Sequence, residues 1–333
     1  MGPSVLVLGP VEARGPAGPI PIAGVKLQAV LAMLALAVPN AVSADRLMEE
    51  LWGDSPPLNP TNSLQAQISQ LRRLLGRDVV ARRGAGYALD VPPENVDSQR
   101  LDRLAALARN AAVAGDHRGA AQHFHSAIAL FRGAVLAGLS EYDFARASGA
   151  RYDEFLLSLR EGLIDAELAA GRHADVMDSV SELVRVYPMR ERFAAQHITA
   201  LYRCGRQVDA LRSYAQVRTL LIDEFGIEPG LDLQALERAV LAQDPALAYQ
   251  PPADSASRSE AVAATPVRSA VVDLRAGSGP AVGRVPLLGR DAEMELLHRD
   301  LGDVFGGRGR IALLVGEPGI GKTRLAEEIV AQS

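Results

Sequence analysis

Two stretches of this chain carry side chains whose type and spacing could do chemistry. One is Gly316-Glu-Pro-Gly-Ile-Gly-Lys-Thr323, preceded by an apolar run at residues 311–315 and followed by a helix-forming run at residues 324–331. Strand, glycine-rich loop and helix in that order let backbone N–H groups close around phosphates at a helix N-terminus. In such a loop Gly316, Gly319 and Gly321 permit the close approach and Lys322 reaches the β- and γ-phosphates. Thr323 would hold Mg²⁺ through the bound nucleotide. The other stretch is residues 62–83, where Asn62, Gln67, Ser69 and Gln70 are followed by Arg72, Arg73, Arg77, Arg82 and Arg83 against a single acid, Asp78. Amides and arginines set at helical spacing can reach base edges and phosphates in a DNA major groove.

These residues need elements to position them, and the surrounding sequence supplies the signals. Short apolar runs at residues 5–8, 11–13 and 20–22 read as strands separated by Gly and Pro turns. An apolar helix is expected over residues 26–38, buried rather than membrane-spanning because the run is about half the length a span needs. Ser43 caps a second helix over residues 44–52, and Gly53 stops it. Thr61 or Asn62 is expected to cap a third helix, in which Leu64, Ile68, Leu71 and Leu75 form the apolar stripe. That stripe leaves Asn62, Ala66, Ser69, Gln70 and Arg73 on the far face, with Gln67 and Arg72 at its flanks. Two runs at residues 79–82 and 87–91, joined by Gly84-Ala-Gly86, read as a hairpin. Strands, three helices and a hairpin make a winged helix-turn-helix.

Residues 97–244 are almost wholly helical in pattern. Ala170-Gly-Arg-His173 and Cys204-Gly-Arg-Gln207 stand 34 residues apart, the tetratricopeptide period, and Gly115-Asp116 opens a looser copy 56 residues before Gly171. An insertion around residues 133–149 must therefore be absorbed. Of His117, His123, His125 and His173, the pair His123 and His125 lies two apart on a helix, so their side chains diverge and cannot easily share one metal ion. The Pro-, Ala-, Ser- and Gly-rich stretch at residues 249–286 reads as a linker. The predicted fold is thus mainly α, in four parts. They are an α+β winged helix (residues 1–95), a tetratricopeptide-like domain (96–248), the linker, and the start of a P-loop α/β domain (287–333). The sequence stops ten residues after Thr323, so that last domain is expected to be incomplete here and the chain not to be an enzyme.

Composition narrows the function classes. A net charge of −5 argues against nonspecific coating of nucleic acid, so any binding face must be local. A single cysteine, Cys204, excludes an internal disulfide framework and suits a reducing cytoplasm. No export signal or membrane span is expected.

Particular motifs sharpen this. Trp52-Gly-Asp-Ser-Pro-Pro57, the run from Asn62 to Leu75, and Arg83-Gly-Ala-Gly-Tyr-Ala-Leu89 resemble the OmpR-type winged helix of the Streptomyces antibiotic regulatory proteins, the SARP/AfsR family. Pro188-Met-Arg-Glu-Arg192, the run from Ala200 to Arg206, Ala210-Leu-Arg-Ser-Tyr214 and Phe225-Gly-Ile-Glu-Pro-Gly230 resemble that family's bacterial transcriptional activation domain. Leu287-Leu-Gly-Arg-Asp-Ala-Glu293 is similar to the start of the ATPase domain in its larger members. The resemblance implies groove- or phosphate-facing roles for Gln67, Ser69, Gln70, Arg72 and Arg73, and a wing role for Arg83. It implies a cytoplasmic activator that binds promoter direct repeats in double-stranded DNA as a homodimer and recruits RNA polymerase through its sigma or alpha subunit. DNA binding would need no cofactor, whereas ATP and Mg²⁺ would belong to a longer parent protein. Two departures stand out: Phe131 precedes Arg132-Gly133 where the family usually has tryptophan, and Gln70 stands where related regulators often place a base-reading arginine. Two other readings are open, the regulatory part of a nucleotide-driven signalling ATPase and a helical-repeat scaffold for proteins alone.

Overall fold

The computed structural model describes residues 2–249, all within a first compact unit spanning Met1–Val262. The linker and the P-loop motif expected from the sequence lie outside the described residues.

The chain opens with an antiparallel meander of β1 (Ser4–Leu6), β2 (Glu12–Gly15) and β3 (Gly18–Ile20). Helix α1 (Val25–Ala37) follows and is apolar on nearly every side, so it becomes the central rod of the first core, with Leu27, Val30, Leu31 and Leu34 buried. Helix α2 (Ala44–Trp52) has the expected ends: the Ser43 hydroxyl accepts from the amide of Arg46, and Gly53 closes it at φ 47°. Helix α3 (Pro60–Leu75) starts earlier than the sequence reading placed it. Its cap is Asn59, whose side chain accepts from the amide of Asn62 at 3.0 Å, with Pro60 in the first turn. Thr61 and Asn62 are inside the helix because proline's fixed φ suits a first turn and its missing N–H costs nothing there.

The hairpin forms from β5 (Val80–Arg83) and β6 (Gly86–Leu89), with a strand the sequence did not suggest on its other side. Strand β4 is only Val42–Ser43, and it pairs antiparallel with β6 to give the order β4-β6-β5. The pairing brings backbone so close that a Cβ on Gly86 would lie 2.1 Å from the Val42 carbonyl oxygen. Gly86→Ala is therefore expected to push the two strands apart, costing about 1–3 kcal/mol in urea unfolding. A stability equal to wild type would show that the β4–β6 pairing tolerates separation.

Seven α-helices follow among the described residues. They are α4 (Asp97–Val113), α5 (His117–Ile128), α6 (Asp143–Ala169), α7 (Met177–Val186), α8 (Glu191–Arg203), α9 (Gln207–Phe225) and α10 (Leu231–Ala242). The turns after α4, α6 and α8 place Gly115, Gly171 and Gly205 at φ 80°, 81° and 75°, a left-handed conformation that favours glycine. Two of these turns, at Gly115 and Gly205, join helices packed on each other, α4 on α5 and α8 on α9, whereas α6 and α7 meet chiefly through an apolar cluster that both share with α8. The additional chain between the first and second of these glycine turns comprises the non-helical residues 129–142 and a long, 27-residue α6.

That additional chain packs against the first module. The amide of Arg132 donates to the carbonyl of Leu8 at 2.8 Å, and that of Leu136 to Val7 at 3.2 Å. Leu136, Leu139, Phe144 and Ala145 join the core of the winged helix, while Leu8 joins the core of α4, α5 and α6. Asp97 fastens the seam. Its buried carboxylate accepts from the amides of Val7 and Leu8, at 2.8–2.9 Å, and Arg132 stands 3.8 Å away. Burial pushes this carboxyl above its ordinary range, opposed by the two amides and the guanidinium. Among the described residues no helix is long and apolar enough to cross a membrane.

Candidate nucleic-acid interface

Helix α3 lies on the first core through Leu64, Ile68, Leu71 and Leu75, all buried, which fixes which side chains face solvent. Asn62, Ala66, Ser69 and Arg73 are exposed along one stripe, as the spacing predicts. Gln67 and Gln70 are half-buried at its margins. Gln65 is exposed on the same stripe, three residues after Asn62 and four before Ser69. The sequence reading did not single it out, although that i, i+3, i+4 spacing was the signal for it.

The arginines divide by what already holds them. Arg72 is half-buried, and its Nε donates to the carbonyl of Val80 at 2.8 Å, tying α3 to β5. Its guanidinium is a strut between helix and wing before it is a ligand for anything else. Arg83 is exposed but paired: Nη2 meets Asp90 Oδ1 at 3.0 Å, and Nη1 donates to the carbonyl of Pro39 at 3.3 Å. Arg73, Arg77 and Arg82 are exposed and make no side-chain hydrogen bond or ion pair among the described residues. Strand alternation sends Arg82 and Arg83 to opposite faces of the hairpin. The clustered positive charge in the sequence is therefore two sets in space, a solvent-directed set of Arg73, Arg77 and Arg82 and a fastened set of Arg72 and Arg83.

An exposed polar stripe on the third helix, beside a hairpin that bears an unpaired arginine at Arg82, is what a winged-helix transcription regulator presents. Comparison with known proteins agrees along most of the chain. Residues 24–89 match the family described as "Transcriptional regulatory protein, C terminal". Residues 96–241 match "Bacterial transcriptional activator domain", and residues 286–333 match "AAA ATPase domain". The regulatory protein DnrI of Streptomyces peucetius is 34% identical, over 77% of this chain and 98% of its own length. The regulatory protein AfsR of Streptomyces coelicolor is 34% identical over 97% of this chain, which spans 32% of AfsR. A solved structure of Mycobacterium tuberculosis EmbR, in complex with a low-affinity phosphopeptide, superposes with a TM-score of 0.70 at 32% identity. It covers 78% of this chain and 69% of its own. The chain belongs to the SARP/AfsR family of transcriptional regulators.

Proposed function

We propose that this chain is a promoter-specific transcriptional activator that reads DNA with α3 and steadies it with the β5–β6 wing. The supporting observation is the exposed stripe of α3 running into arginines that no acid neutralises. In this reading Asn62, Gln67, Ser69 and Gln70 face base edges, and Arg73 and Arg82 neutralise phosphates. Arg72 contributes through its outer nitrogens while bracing the wing, and Arg83 acts from the end of β5 beside the hairpin turn. Two chains bind a direct repeat side by side, and the helical domain serves dimerisation and recruits RNA polymerase through its sigma or alpha subunit. The protein works in the cytoplasm, at the nucleoid.

The test is fluorescence anisotropy of the chain on the DNA upstream of its own and neighbouring genes, at several salt concentrations, with unrelated duplex as competitor. Binding that survives competitor, weakens with salt and saturates at two chains per site supports the reading. No binding at any salt concentration removes it and favours a protein-binding scaffold.

A second proposal rests on the match of residues 286–333 to an AAA ATPase domain. In a longer parent protein, Gly316, Gly319, Gly321 and Lys322 would hold the phosphates of ATP, with Thr323 on Mg²⁺. DNA reading itself needs no nucleotide in this account. Lys322→Ala is accordingly expected to leave the anisotropy titration of this chain unchanged within about a factor of two. A tenfold loss would instead make nucleotide part of DNA recognition.

A further inference from the structure

The seam between the winged helix and the helical domain opens, beside α1, into a cleft of about 250 Å³. Its floor is apolar, built by Met33 and Leu36 of α1, Val42 of β4 and Phe144 of α6. Its polar wall is basic, with Arg46 from α2 on one module and Ser148 and Arg151 from α6 on the other. No acidic side chain lines it. Neither Arg46 nor Arg151 forms an ion pair among the described residues, although fourteen such pairs are present elsewhere. Arg151 lies over the ring of Tyr152, 4.7 Å from its centroid, and its charge also acts on the carboxylate of Asp102, which does not line the cleft.

We propose that this cleft binds a small amphipathic carboxylate, with its acid group between Arg46 and Arg151 and its apolar body on Met33, Leu36, Val42 and Phe144. Two guanidinium groups line the same apolar recess, and an anion seated between them would be attracted by both. Guanidinium groups match a carboxylate in geometry as well as charge, and the Ser148 hydroxyl can donate to it. The volume lies at the lower edge of ordinary ligand pockets, which suits a body of about ten non-hydrogen atoms. Because the walls come from both modules, such a ligand would bridge them. This site is separate from α3 and does not depend on how DNA is read.

The probe is sodium octanoate, titrated calorimetrically into the full chain, with 1-octanol and acetate as the uncharged and bodiless controls. Saturable octanoate binding is expected, with chemical-shift movement of the Met33 methyl and weaker effects from either control. Arg46→Gln combined with Arg151→Gln should lower octanoate affinity at least about tenfold while leaving the octanol response unchanged. Both side chains are exposed, so the variant retains the packing of the seam. Absence of saturable binding up to about 10 mM overturns the proposal. So does octanoate binding that is equal in the double variant, or binding that leaves the Met33 methyl unmoved.

Discussion

Replacing Asp97 with alanine is expected to lower the unfolding free energy of the chain by about 3–5 kcal/mol, or a fall in melting temperature of roughly 10 °C. The carboxylate is 1% exposed and accepts from two backbone amides that lie 89–90 residues earlier in the chain. Alanine leaves both amides buried without an acceptor, at about 1–3 kcal/mol each, and strips Arg132 of its nearest buried countercharge. Asp97→Asn keeps one oxygen as an acceptor for the amides of Val7 and Leu8, and should lose about half as much. Urea unfolding of the three proteins at neutral pH measures the difference. If alanine and asparagine are equivalent and both cost under about 1 kcal/mol, the seam is held by its apolar contacts and the carboxylate is incidental.

The largest effect on DNA binding is expected from Arg73→Ala combined with Arg82→Ala. Each removes an exposed guanidinium that nothing in the described fold employs, so stability should change little. Loss of two phosphate contacts should reduce the slope of log affinity against log salt by about 2, and weaken binding roughly 10- to 100-fold at low salt, on all sequences alike. Gln70→Ala should act differently. It should leave the salt slope intact and relax discrimination at a single base pair, by about 1–3 kcal/mol. An unchanged slope in the arginine double variant would move the phosphate-binding face away from α3 and the wing. Arg72 is a poorer probe, because its bond to the Val80 carbonyl makes Arg72→Ala a change in the wing as well as in charge.

What was legible in the sequence was local. Helix α2 could be placed to the residue because Ser43 and Gly53 act within one turn of its ends. The stripe of α3 was legible because 3.6-residue periodicity alone decides which side chains share a face. Its start was misplaced by passing over Asn59-Pro60, itself a cap followed by a first-turn proline. The charge cluster was visible too, but its division was not. Whether an arginine is available to DNA depends on Val80, Asp90 and Pro39 approaching it, and those are tertiary neighbours.

By itself, then, the sequence determined the order of elements, the buried character of α1, the face of α3 and the glycine turns between helices. Each of these follows from propensity, periodicity or backbone φ over a few residues. Only the tertiary structure decided the two-residue strand β4, whose existence depends on β6 some forty residues later. It alone turned residues 129–142 from an interruption of the repeat into the interface with the winged helix. The same holds for Asp97, which reads locally as an acid in the first turn of α4 and becomes the fastening of the seam. The reason is physical: its partners are backbone amides, which every residue but proline carries, so no residue type marks them in advance.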